Sequence, residues 1–260
     1  MPRFAANLSM MFTELPFLDR FAAAKAAGFE AVEFLFPYDF SASDIARRLR
    51  DNGLKQVLFN APPGDWANGE RGCAALPGRT QEFRDGIAKA LDYAAALECP
   101  RIHVMAGLKP AGVASDTLTA TYGANLAWAA EAANKLGIKP VIEPINHRDI
   151  PGFFLNTTDQ AAAIINAIGP EKVGMQFDLY HCQITEGDIV KRVEKHLPLI
   201  AHMQVADNPG RNEPGTGEVN WPFVFGRIDA LGFRGWIGCE YRPAGETVAG
   251  LSWFSPYKQA

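Results

Sequence analysis

One recurring pattern limits the fold of this chain more than any other: an alanine-rich or amphipathic stretch ends at a glycine, and a short apolar run follows at once. It occurs as Ala27-Gly28-Phe29 before Ala31-Val32-Glu33-Phe34, Asn52-Gly53-Leu54 before Gln56-Val57-Leu58-Phe59, and Leu136-Gly137-Ile138 before Val141-Ile142. Ile168-Gly169-Pro170 before Val173-Gly174-Met175 and Leu231-Gly232-Phe233 before Trp236-Ile237 repeat it. Glycine there supplies the left-handed residue that ends a helix. Two further units use proline as the stop, Cys99-Pro100 before Ile102-His103-Val104-Met105 and Leu197-Pro198 before Ile200-Ala201-His202-Met203. With the opening run Phe4-Ala5-Ala6-Asn7 this makes eight strands, each followed by a helical candidate, and such alternation implies a parallel sheet. Eight units predict a closed (β/α)8 TIM barrel, and 260 residues suit one such domain spanning 1–260. An open doubly wound sheet fits less well, because Asn7-Leu8-Ser9-Met10-Met11 stands where its glycine-rich phosphate loop belongs.

Helix faces agree with the barrel. Leu118, Tyr122, Leu126 and Ala129-Ala130 form one core stripe, and Ala161, Ile164, Ile165 and Ile168 form another. Two connections are longer than a barrel needs, Asn60 to Arg79 after strand three and Ala206 to Asn220 after strand seven. Both follow strand C-termini and are expected to hang over the catalytic face, as lids do.

Charge and cysteine content exclude several classes of function. A formal net charge of −4 offers no general attraction to phosphate backbones or anionic lipids, so neither nucleic acid nor membrane is an expected partner. No stretch approaches the about 18 apolar residues of a membrane span, and the N-terminus does not read as a secretory signal, so a cytoplasmic location is expected. Cys73, Cys99, Cys182 and Cys239 lack the paired spacing of a zinc site and are expected to be reduced and structural.

Four apolar strands end on side chains that can hold a metal: Val141-Ile142-Glu143, Met175-Gln176-Phe177-Asp178, Met203-Gln204-Val205 and Ile237-Gly238-Cys239-Glu240. Burying such groups is costly unless they are paired or bound to a cation, and one divalent ion satisfies several at once. Glu143, Asp178, Gln204 and Glu240 would form an all-oxygen set, for which Mg²⁺ or Mn²⁺ is the expected ion. A lone strand-end Glu is usually a cap or an ion-pair partner; four at strand ends shift the balance to function. His181, three residues past Asp178, is expected on the same loop, binding a substrate oxygen or shuttling a proton. His147 divides evenly between substrate contact and loop scaffold. Arg211 is the favoured grip for an anionic substrate, with Arg71 or Lys109 as alternatives. Trp66 is a candidate apolar wall. His202 and His103 read as supporting residues inside the barrel, and His196 as a helix-end dipole partner.

Several motifs together resemble hydroxypyruvate isomerases, within the wider xylose-isomerase-like barrel superfamily. They include Val32-Glu33-Phe34-Leu35-Phe36-Pro37-Tyr38, Pro63-Gly64-Asp65-Trp66, Ile142-Glu143-Pro144-Ile145-Asn146-His147, Gln204-Val205-Ala206-Asp207-Asn208-Pro209 and Trp236-Ile237-Gly238-Cys239-Glu240-Tyr241. The resemblance runs nearly end to end, and Gln204 stands where the superfamily's sugar epimerases have histidine. It implies interconversion of hydroxypyruvate and tartronate semialdehyde by metal-assisted proton transfer, with Glu143 and Glu240 as acid and base. It also implies a hydroxy-oxo acid as substrate, a role in glyoxylate metabolism, and a homodimer or homotetramer. The related 2-oxo-tetronate isomerases, acting on a four-carbon acid, are the near alternative. A barrel that binds a sugar acid without turning it over is the alternative of another class. An endonuclease for abasic DNA would want a histidine-rich zinc cluster and a basic groove, and neither is present in the sequence.

Overall fold

Eight short strands close on one another in chain order: β1 Arg3–Asn7, β2 Ala31–Glu33, β3 Lys55–Asn60, β4 Arg101–His103, β5 Lys139–Ile142, β6 Gly174–Asp178, β7 Ile200–Gln204 and β8 Trp236–Cys239. All neighbours are parallel, and β1 pairs with both β2 and β8, which seals the barrel. The computed structural model describes residues 1–258, so Gln259 and Ala260 of the expected 1–260 domain lie outside the described residues. Among the described residues eight α-helices surround the strands: α1 Arg20–Ala26, α2 Ala42–Asn52, α3 Thr80–Ala96, α4 Ser115–Asn134, α5 Thr158–Ile168, α6 Leu179–Thr185, α7 Ile189–His196 and α8 Trp221–Ala230.

The five punctuating glycines of the repeat all have positive φ, from 59° at Gly53 to 123° at Gly169. Side chains that would block this region are absent there, so each unit stops its helix and turns into a strand without strain. Helix distribution differs from one per strand, however. Two helices, α6 and α7, follow β6, whereas β8 is followed by a 3₁₀ segment, Ala249–Tyr257. Pro256 within that segment removes a backbone donor, which disfavours a regular α-helix. Leu118, Tyr122, Leu126, Ala129 and Ala130 of α4 are fully buried against the strands, as their spacing predicts.

Alternation along the strands puts a second set of side chains inside the barrel. Ala5, Ala31, Val57 and Trp236 make a small apolar cluster there. Above it lies a polar layer centred on Glu33. Its Oε1 accepts from Asn7 Nδ2 at 3.0 Å and Gln204 Nε2 at 2.9 Å, and its Oε2 meets His202 Nε2 at 2.6 Å. The Glu33 carboxylate fills the space where a Cβ on Gly238 would stand. A side chain at position 238 and Glu33 cannot both occupy that space.

The connection after β7 is held from within rather than free to swing. Asp207 Oδ2 accepts from Gly215 N at 2.8 Å and Gly217 N at 2.9 Å, and its Oδ1 accepts from Val219 N at 3.3 Å. One buried carboxylate thereby satisfies three backbone donors and fixes the loop that carries Arg211. No helix among the described residues is long and apolar enough to cross a membrane.

Candidate active site

Glu143 directly follows β5, Asp178 closes β6, and Glu240 directly follows β8, so the three carboxylates gather at the C-terminal mouth of the barrel. All three are buried. Glu143 and Glu240 line a cavity of about 400 Å³, whose walls also include His181, Arg211, His103 and Trp66, and Asp178 is buried next to Glu143. Asp178 also caps α6: its Oδ1 accepts from Tyr180 N at 2.7 Å and His181 N at 3.3 Å. His181 therefore sits in the first turn of a helix, not on the loop expected from sequence. This use of Oδ1 leaves Oδ2 without a hydrogen-bond partner among the described residues, and Glu143 Oε1 is likewise unpartnered there.

Electrostatics follow from closing charge off from water. Burial raises the Glu143 pKa well above its ordinary value, and the neighbouring Glu240 and Asp178 raise it further. Burial pushes Glu240 up to about 8 against the opposing pull of Arg211. It pushes Asp178 up to about 6, again with Arg211 opposing. Arg211 Nη2 lies 3.3 Å from Glu240 Oε2 and 4.0 Å from Asp178 Oδ2, while its Nη1 bonds Asp149 Oδ2 at 3.0 Å. Burial works against the Arg211 charge, yet Glu240, Asp178 and Asp149 outweigh it and raise its pKa. Its backbone is held at φ 57°, in the left-handed region that non-glycine residues rarely adopt.

Ligand atoms of Glu143, Asp178 and His181 lie within 4.8 Å of one another, a buried group able to hold a metal ion. Two unpartnered carboxylate oxygens within it are the observation that fits a cation. The imidazole plays a different part. Asn146 Oδ1 accepts from Asp149 N at 2.7 Å, which turns Asn146 Nδ2 toward His181 Nδ1 at 2.6 Å. With Nδ1 accepting, the proton of the neutral ring sits on Nε2, 3.7 Å from Asp178 Oδ2 and 3.9 Å from Glu143 Oε1. Burial holds the His181 pKa well below its ordinary value, with Arg211 and His103 adding to the effect. It is thus a neutral donor facing the acids.

Gln204 is buried beside this group with its amide engaged on both sides. Its Oε1 accepts from Gln176 Nε2 at 2.6 Å while its Nε2 bonds Glu33. Trp66 lines the cavity at 38% exposure, packed on Phe36 with ring centroids 5.0 Å apart. His147 is exposed and is not among the residues that line the cavity; Asp149 and Ile150 of the same loop are. Three contributors were not singled out from sequence as site residues. His103 Nδ1 lies 3.6 Å from Glu143 Oε2, and burial holds its pKa down to about 3. Asn146 sets the His181 tautomer, and Glu33 orients Gln204. The available signal for Glu33 and His103 was the one used for Glu143, a polar side chain inside an otherwise apolar strand.

A closed eight-stranded barrel with buried acids at its C-terminal mouth defines a class, and comparison with known proteins agrees. Residues 21–257 match the xylose isomerase-like TIM barrel family, and the chain belongs to it. A 2-oxo-tetronate isomerase from Cupriavidus necator is 56% identical over 257 residues, covering 99% of both chains. A hydroxypyruvate isomerase from Escherichia coli is 47% identical over 258 residues, covering 99% of this chain and 100% of the relative. This chain is accordingly an isomerase that acts on a small molecule. A crystal structure described as AP endonuclease, family 2, from Brucella melitensis superposes with a TM-score of 0.98 at 49% identity, covering 100% of both chains. A 3-keto-D-glucoside 4-epimerase from E. coli shares the fold with a TM-score of 0.77 at 19% identity, covering 98% of this chain and 99% of that one.

Proposed function

We propose that this isomerase moves a carbonyl group between C2 and C3 of a short hydroxy-oxo acid, with hydroxypyruvate and tartronate semialdehyde (2-hydroxy-3-oxopropanoate) as the substrate pair. The observation that carries the proposal is the set of three buried carboxylates, Glu143, Asp178 and Glu240, gathered at the barrel mouth, with an unpartnered oxygen on Glu143 and another on Asp178 among the described residues. Glu143, Asp178 and Glu240, with the second lone pair of Gln204 Oε1, would hold a divalent ion, Mg²⁺ or Mn²⁺. Such an ion would polarise the substrate carbonyl and offset the charge that develops on the enediolate oxygens.

Proton movement falls to the chain's own residues. One of Glu143 and Glu240 takes the proton from C3 and the other delivers one to C2. The C3–H bond breaks, a C2–H bond forms, and the hydroxyl proton passes from O3 to O2. His181 Nε2–H donates to a substrate oxygen during this exchange. Burial excludes water from the acids, which protects the intermediate and strengthens each interaction. Trp66 walls the cavity. The enzyme is proposed to work in the cytoplasm as one barrel domain, in a homodimer or homotetramer. A nucleic-acid substrate is not part of the proposal, since the chain carries net charge −4.

A second reading has its own support. The 56% identity to the 2-oxo-tetronate isomerase exceeds the 47% to the hydroxypyruvate isomerase. Both acids present the same reacting unit, a 2-oxo-3-hydroxy carboxylate, and the four-carbon acid adds a hydroxymethyl group on C3. Isomerisation of each acid in D₂O, with wild type, Glu143→Gln and Glu240→Gln, tests both readings. Solvent deuterium in the product and a loss of about a thousandfold or more in both variants is the expected result. A clear preference for the four-carbon acid selects the second reading, and full activity in either variant removes that glutamate from the chemistry.

A further inference from the structure

Three arginines line the cavity, Arg71, Arg211 and Arg242, and their surroundings differ. Arg211 is already saturated by acids, since Asp149, Glu240 and Asp178 all lie within 4.0 Å of its guanidinium. A substrate carboxylate approaching it would have to displace one of them. Arg242 is exposed at the rim, with no hydrogen bond that fixes its side chain among the described residues. Arg71 is half-buried and held in place, yet it meets no carboxylate within 4.0 Å among the described residues.

The hold on Arg71 leaves its outer edge free. Its guanidinium carbon lies 3.8 Å from the Trp66 ring centroid, and its Nη1 donates to Trp66 O at 3.1 Å and Glu70 O at 2.6 Å. Nε and Nη2 have no partner among the described residues. The adjacent acid that could have paired with it, Glu70, is instead taken by Arg79 and by Asp65 N at 2.6 Å. The loop itself is pressed against the segment that follows β4, where Gly72 passes so close to Met105 O that a Cβ would overlap it. A planar cation is thus preorganised on an aromatic face, at the wall of a cavity whose base is acidic.

Such a cation suits an incoming anion. A carboxylate substrate entering a cavity lined by Glu143 and Glu240 finds the Arg211 charge already engaged by acids, so a second positive group with a free edge is where it gains most. We infer that Arg71, stacked on Trp66, binds the substrate carboxylate through its free edge and so restricts this isomerase to acids over neutral ketoses. This rests on the reading that the substrate is a hydroxy-oxo acid. It gives the Asn60–Arg79 loop a binding role in place of a simple cover, and it transfers the anion grip favoured for Arg211 from sequence to Arg71. Arg211 serves instead as the cation that bridges Asp149, Glu240 and Asp178.

The test uses metal-loaded full-length enzyme, with hydroxypyruvate for turnover and D-glycerate, which carries the carboxylate and hydroxyls but no carbonyl, for calorimetric binding. Arg71→Met is expected to weaken glycerate binding at least 20-fold and to raise KM for hydroxypyruvate by a similar factor, with kcat within about threefold. Arg71→Lys, which keeps charge but loses the planar fork, is expected between the two. Arg242→Met should weaken glycerate binding less than threefold. Glycerol, without a carboxylate, should bind wild type and Arg71→Met equally. Glycerate affinity in Arg71→Met within threefold of wild type overturns the inference, as does no measurable glycerate binding to wild type. If wild type isomerises neither acid while glycerate affinity still depends on Arg71, the proposed reaction fails and the carboxylate site stands.

Discussion

Glu33 in the middle of the barrel and Glu143 at its mouth are both closed off from water, and their surroundings treat them in opposite ways. Glu33 has a partner for each oxygen, from Asn7, Gln204 and His202. Glu143 has an oxygen with no partner, two carboxylates as neighbours and a pKa raised by burial. A buried charge that is fully hydrogen-bonded belongs to the scaffold, whereas one left unsatisfied costs stability that only a ligand or a proton recovers. Fractional exposure alone, near zero for both, does not separate them.

Substitution at Glu33 should produce the largest change in stability. Glu33→Ala leaves Asn7, Gln204 and His202 unpaired in the interior and is expected to cost about 3–5 kcal/mol in urea unfolding. Glu240→Gln, which removes a charge that burial already opposes, should unfold at or above the wild-type midpoint when metal is absent. Equal losses in the two variants would erase the distinction. Gly238→Ala comes next, since its methyl competes with the Glu33 carboxylate for one space, and is expected to cost about 1–3 kcal/mol.

The third prediction concerns pH. Asp178 and Glu240 ordinarily titrate at 3.8 and 4.5, and in the fold at about 6 and about 8. The folded state therefore holds protons that the unfolded chain releases, so their stabilising contribution is complete below the unfolded values and is lost as pH rises through 6 and then 8. Metal-free protein should melt at progressively lower temperature from pH about 5.5 to pH about 8.5. Saturating Mn²⁺ should flatten that slope, because the ion takes the place of the protons. Identical slopes with and without metal would place the binding site elsewhere. The smallest effect is expected at His147, exposed and off the cavity wall: His147→Ala should change kcat/KM less than about twofold.

The fold was legible because its signals are local. Each glycine or proline stop sits beside the strand it introduces, so Gly53 before β3 or Gly232 before β8 can be read within a few residues. Glu143, Asp178 and Glu240 were found the same way, as acids at the ends of apolar runs. What escaped depends on pairings across the chain. The exchange of roles inferred for Arg211 and Arg71 rests on Asp149, 62 positions from Arg211, and on Glu70, taken by Arg79. His181 was expected on a loop because nothing in Phe177-Asp178-Leu179 announces that Asp178 spends one oxygen capping a short helix.

Glu33 also has a consequence for how the chain is made. Its partner Asn7 lies 26 positions away, but His202 and Gln204 lie 169 and 171 positions downstream. When synthesis has reached only the fourth strand, the nascent chain presents this carboxylate with one of its three partners, and water is the better solvent for it. The barrel's centre cannot dry out until β7 emerges from the ribosome, so final consolidation is an event of the end of translation and not of its beginning.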